Sequence, residues 1–79
     1  PAAEKGFADA QFNLGSCYYY GEGVKKDFKK AAEWFQKSAE QGNSSAQYAL
    51  SICYENGEGV PKSPALAEEW MKKYEDNPN

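Results

Sequence analysis

The residue types that ordinarily carry out chemistry are scarce in this chain and poorly placed for it. No histidine occurs among the 79 residues, which removes the commonest general base and the commonest zinc ligand together. Cys17 and Cys53 are the two thiols; they have no metal-ligand spacing and no neighbouring base, so neither a zinc site nor a thiol nucleophile is expected. Gly21-Glu22-Gly23 and Gly57-Glu58-Gly59 look like the opening of a phosphate loop, but no strand precedes them and no Gly-Lys-Ser/Thr follows, so they read as helix stops. Glu68 and Glu69 are adjacent on a helix and point apart, which rules against shared-proton chemistry. Tyr18-Tyr19-Tyr20 is the most suggestive cluster, and it suggests contact rather than reaction. No catalytic, metal-binding or cofactor-binding residue is expected, and the chain does not read as an enzyme.

The elements that would position these residues come in two copies. Ala10-Gln-Phe-Asn-Leu14-Gly-Ser-Cys17-Tyr18 returns as Ala46-Gln-Tyr-Ala-Leu50-Ser-Ile-Cys53-Tyr54, a period of about 36 residues of the kind that marks a supersecondary repeat. Ala10, Leu14, Cys17 and Gly21 fall at steps of four, three and four, the apolar stripe of a helix, and Ala46, Leu50, Cys53 and Gly57 copy it. This predicts a helix A at about 8–20 and again at about 44–56. Asp27 and Ser63 are good N-caps, and Pro64 suits the first helical position, so a helix B is expected at about 28–41 and 64–76. Ser44 with Gln47 reads as a capping box. Gly15 and Ser51 are small enough for close helix approach. Trp34 and Trp70 are expected to be core anchors, with Trp34→Ala costing on the order of 3–5 kcal/mol.

Short connections make each copy an αα-hairpin and the two hairpins side-by-side neighbours. The expected class is all-α, four main helices in two repeats: residues 7–42 form repeat one, 43–79 repeat two with a terminal cap, and 1–6 align with the end of a preceding repeat. The chain therefore reads as a piece of a longer array. Stacked copies place equivalent backbone positions about 8–10 Å apart, too far for a disulfide, so Cys17 and Cys53 are expected to be free, mostly buried thiols. Redox compartment and localisation stay open. The net charge of −3 argues against nucleic acid or an anionic membrane surface as the main partner. No apolar run reaches the ~18–20 residues of a membrane span, so no direct membrane insertion is expected. Lys25-Lys26-Asp27-Phe28-Lys29-Lys30 is the local exception, suited either to an acidic peptide or simply to a solvated helix start.

With Leu14-Gly15-x-x-Tyr18-x-x-Gly21-x-Gly23-Val24, then Asp27, Ala31, Trp34-Phe35, Ser38-Ala39 and Gly42, and the second copy from Ala46 to Trp70, the chain resembles the Sel1-like repeat (SLR) family, relatives of the tetratricopeptide repeats. Departures are Ser51 in place of glycine, Ser63 in place of aspartate, and the loss of the small pair and glycine after Trp70. The resemblance implies a right-handed α-solenoid acting as a protein–protein interaction scaffold, with the partner on a concave face lined by the A helices. Projected by helical spacing, that face is Asp9, Asn13, Ser16, Tyr19 and Tyr20, then Ser45, Ala49, Ile52, Glu55 and Asn56. Phe12 and Tyr48 are expected to pack inside, and Tyr19 and Tyr20 to be the exposed contact residues. Two functions compete: a module binding a peptide or protein partner, and an assembly or spacer element without a ligand, whose Phe7 and Phe12 would be left exposed and open to self-association.

Overall fold

A computed structural model of the chain describes residues 2–78 as four helices, α1 (Ala2–Tyr20), α2 (Phe28–Glu40), α3 (Ser44–Asn56) and α4 (Pro64–Asp76). Each packs against the next in chain order, giving two αα-hairpins in a slab of 32 × 31 × 13 Å. The shared core is built from the two middle helices: Ala31, Phe35 and Ala39 of α2 face Ala46, Leu50 and Cys53 of α3.

Local chemistry sets these boundaries. Asp27 and Ser63 hold extended backbone and accept from the N–H groups of Lys30 and Leu66, satisfying donors a helix start leaves unpaired. Gly21 and Gly57 both take φ 70°, the left-handed state that lets Glu22 and Glu58 N–H groups turn back onto the carbonyls of Cys17 and Cys53.

Small residues seat α1 on α2. A Cβ on Gly15 would come within 2.8 Å of the Phe35 ring, so the missing side chain is what allows Phe35 to lie across α1. Ser38 is fully buried and donates from Oγ to the Ala8 carbonyl at 2.6 Å. In the second hairpin Ser51 replaces the glycine and folds its hydroxyl back onto the Tyr48 carbonyl at 2.6 Å, hiding the polar atom in its own helix.

Several expectations are corrected. α1 begins at Ala2 rather than near Ala8 and runs straight through Gly6; Ala2, Ala3, Glu4 and Lys5 are strong helix formers that carry the helix outward. The N-cap of α3 is Asn43, not Ser44: the Asn43 carboxamide accepts from the Ala46 N–H at 2.9 Å. Gln47 is thereby released from a capping box, and buried, it donates to the Ala39 carbonyl and accepts from Asn77. Trp34 and Trp70 are half-buried rather than core. Ala31, Phe35, Ser38 and Ala39 take the centre of the α2 face, and the residue before Phe35 sits about 100° round the helix from it. Each indole is covered by the lysine three residues on, Lys37 or Lys73, at 4.7 Å from the ring. The large truncation cost expected at Trp34 belongs to Phe35, which is 3% exposed.

Candidate functional site: a tyrosine-rimmed groove between the A helices

Residues on α1 and α3 repeat at steps of three and four, so one stripe of each helix faces the same side of the slab. Between the stripes lies a groove of about 350 Å³. Its floor is Phe12, Phe35, Ala49 and Ile52, its walls carry Ser16 and Ser45, and its rim is tyrosine, with Tyr19 and Tyr20 from α1, Tyr48 from α3 and Tyr74 from α4. None of these lining residues is charged. From Phe12 to Tyr19 the groove spans seven residues of helix, about 10 Å at ~1.5 Å per residue.

Of the ten face residues expected from helical spacing, Ser16, Tyr19, Tyr20, Ser45, Ala49 and Ile52 line this groove. Asp9 lies one turn before Phe12 on the same stripe, where its Oδ1 accepts from Asn43 Nδ2 at 2.6 Å. Asn13 and Asn56 are exposed outside the lining. Glu55 borders a different hollow, with Pro64, Ala67 and Met71 of α4, because at the end of α3 its position has rotated towards α4.

Tyr19 is not the exposed residue the sequence suggests. Its ring is half-buried and leans on Phe28 and Phe35 at centroid distances of 5.1 and 6.1 Å. Its hydroxyl donates to Glu58 Oε1 at 2.7 Å, linking the first hairpin to the loop of the second. Burial, the hydrogen bond to Glu58 and the Glu58 charge together hold the Tyr19 hydroxyl well above the usual phenol range. Tyr20, 68% exposed, is the free tyrosine of the pair, and it meets Tyr19 edge-on at 5.0 Å.

Four lining residues escaped the helical projection. Phe12 does pack inward, against Phe35 at 5.6 Å, but from the groove side. Tyr48, expected inside, is 46% exposed and stacks with Tyr74 at 5.2 Å. Phe35 and Tyr74 belong to B helices and so lay outside a projection of the A helices alone. Gly15 was the available signal for Phe35, because a bare helix surface opposite a large ring opens a path to the far side.

The thiols are free. Cys53 is fully buried, and burial, with a smaller push from Glu58, raises it to about 11; Cys17 is half-buried. Among the described residues no group of His, Cys, Asp or Glu is placed to hold a metal, and no helix is long and apolar enough to cross a membrane.

Comparison with known proteins places this arrangement. The family model for the Sel1 repeat matches residues 8–43 and 44–73. The chain is similar to a putative sel1-like repeat-containing protein, L18, of Acanthamoeba polyphaga mimivirus, with 50% identity over 38 residues that make up 48% of this chain and 6% of the viral protein. Among solved structures it resembles a Sel1 repeat protein from Oxalobacter formigenes at TM-score 0.85 and 39% identity, covering 94% of this chain and 30% of that one. It also resembles c5321, a protective antigen of uropathogenic Escherichia coli strains with an SLR fold, at TM-score 0.89 and 35% identity, covering 99% of this chain and 17% of that one. The chain thus spans under a third of each of these proteins. It belongs to the Sel1 repeat family, whose helical repeats generally serve as protein-interaction modules.

Proposed function

We propose that this chain binds a peptide segment of a protein partner in the groove between α1 and α3. The observation that carries the reading is an apolar, uncharged floor lying beneath three exposed tyrosines, Tyr20, Tyr48 and Tyr74. Tyrosine offers a large contact area and a hydrogen-bonding hydroxyl at low entropic cost, and such residues concentrate binding energy when ringed around a desolvated centre. The groove is small beside a standard interface of roughly 20–30 residues a side, so affinity of this segment alone is expected to be modest. Random peptides displayed and selected against the chain test the site. Affinity of the selected peptides should fall about tenfold or more in a Tyr20→Ser, Tyr48→Ser double variant, since two rim anchors are lost, while its melting temperature barely moves. Undiminished affinity would place the binding face elsewhere.

A second reading, an assembly or spacer element, is favoured by one feature: α1 carries an outer face with Phe7 59% exposed and Ala10 exposed beside it. Light scattering across a dilution series addresses it directly. A mass that grows with concentration, and a Phe7→Ser change that abolishes the growth, would support assembly; a constant monomer mass would remove this reading.

A further inference from the structure

We infer that the occupant of the groove is a short proline-containing segment in the extended polyproline II form, flanked by basic residues. This rests on the groove being the binding face, and adds what chemistry it selects. The groove runs about 10 Å, enough for roughly three residues at the ~3.1 Å per residue of polyproline II. So few residues cannot offset the entropy of ordering a flexible peptide, whereas a proline segment is already extended before it binds. The rim also matches: Tyr48 and Tyr74 stand together at one end and Tyr19 and Tyr20 at the other. Aromatic faces suit pyrrolidine rings, and rim hydroxyls can donate to the carbonyls that polyproline II leaves unpaired. An all-helical site has no sheet edge to take up a β-strand by backbone pairing.

Charge defines the flanks. The lining is uncharged, but a carboxylate stands beyond each end. Asp9 lies one turn before Phe12, with Oδ1 engaged by Asn43. Glu58 lies beside Tyr19, with Oε1 engaged by the tyrosine hydroxyl. Each has a second carboxylate oxygen beyond the one engaged, and such a carboxylate is complementary to a lysine or arginine just outside an apolar core.

Three fluorescein-labelled synthetic peptides, KPPPK, EPPPE and KAAAK, titrated against the whole chain by anisotropy, test this. KPPPK should bind at least about tenfold more tightly than either of the others, lose that affinity in the Tyr20→Ser, Tyr48→Ser variant, and weaken on Asp9→Asn. Equal binding of KAAAK would overturn the proline requirement, and equal binding of EPPPE the basic flanks. If display-selected peptides depend on the rim tyrosines while KPPPK does not bind, the ligand chemistry is wrong and the groove reading stands. If KPPPK binds irrespective of the rim tyrosines, the groove assignment itself fails.

Discussion

The two hairpins carry nearly the same letters and reach different ends. On α3, Ala46, Leu50 and Cys53 are each 0% exposed; on α1, their counterparts Ala10, Leu14 and Cys17 are exposed or half-buried. Val60 packs against the core, whereas Val24 is 37% exposed. α3 is held between α2 and α4, while α1 packs chiefly against α2. The stripe on an A helix is therefore the half of a seam made with the hairpin before it. Burial in a repeat belongs to the junction between neighbours rather than to the residue: the same alanine is core in one copy and exposed in the other, and the same leucine is core in one and half-buried in the other.

Paired substitutions at equivalent positions sharpen that contrast. The largest effect is expected from Leu50→Ala, which empties a fully enclosed site between two helices and should cost about 2–5 kcal/mol. Leu14→Ala, at a half-buried site lacking the second neighbour, should cost roughly a third of that, since most of the cavity term is absent. Urea denaturation of the two variants measures both, and equal losses would mean that the seam contributes nothing beyond each hairpin.

Next come the loop glycines. Gly23 and Gly59 have φ of 76° and 77°, so alanine at either costs about 1–2 kcal/mol for the left-handed backbone. Only Gly59 has a neighbour. A Cβ there would fall 2.1 Å from the Phe28 carbonyl oxygen, whereas at Gly23 nothing lies within 4 Å. Gly59→Ala must push the second loop off the start of α2, and should destabilise by about 1–2 kcal/mol more than Gly23→Ala. Matched melting temperatures for the pair would show that the loop and helix are not in close contact.

These contrasts explain what was legible in the sequence and what was not. Helix boundaries at Asp27, Ser63 and Pro64 depend on residues within one turn, and their capping chemistry located them. The side-by-side order of the hairpins followed from short connections and matched stripes. What escaped depended on contacts distant in sequence. Trp34 and Phe35 are adjacent aromatic letters, and the bare surface at Gly15 is what gives Phe35 room to take the centre. Tyr19 and Tyr20 both looked like surface tyrosines until Glu58, 39 residues away, supplied a partner for one of them. The groove was readable as a stripe on α1 and α3, but the contributions of Phe35 and Tyr74 required knowing what stands behind and beside it.

Alkaline pH probes the seam by a different route. Cys53 rises from 9.0 to about 11 in the folded chain, so the unfolded chain gives up this proton at lower pH than the folded chain does. Below about pH 9 both states keep the proton and the stabilisation is complete; between about 9 and 11 the unfolded state is favoured progressively. The loss should be on the order of 2 kcal/mol. Melting temperatures recorded across this interval should fall, and the fall should be shallower in Cys53→Ala. A neutral-pH thiol reagent completes the comparison, modifying half-buried Cys17 well before Cys53.

The smallest expected difference isolates a side-chain bond that joins the first A helix to the second loop. Tyr19→Phe keeps the ring against Phe28 and Phe35 and removes only the hydroxyl that meets Glu58. A hydrogen bond to a charged acceptor contributes about 1.5–3 kcal/mol when well desolvated, and towards about 1 kcal/mol where water can replace the donor. Glu58 is half-buried, so the lower figure applies. Tyr20→Phe, one residue on and largely in solvent, should change stability by less than about 0.5 kcal/mol. If the Glu58 link holds the two hairpins in register, Tyr19→Phe also loosens the loop that presses Gly59 onto Phe28, and adding Gly59→Ala to it should cost less than the sum of the two changes. Strict additivity in that double-mutant cycle would mean that the tyrosine and the glycine secure the seam independently.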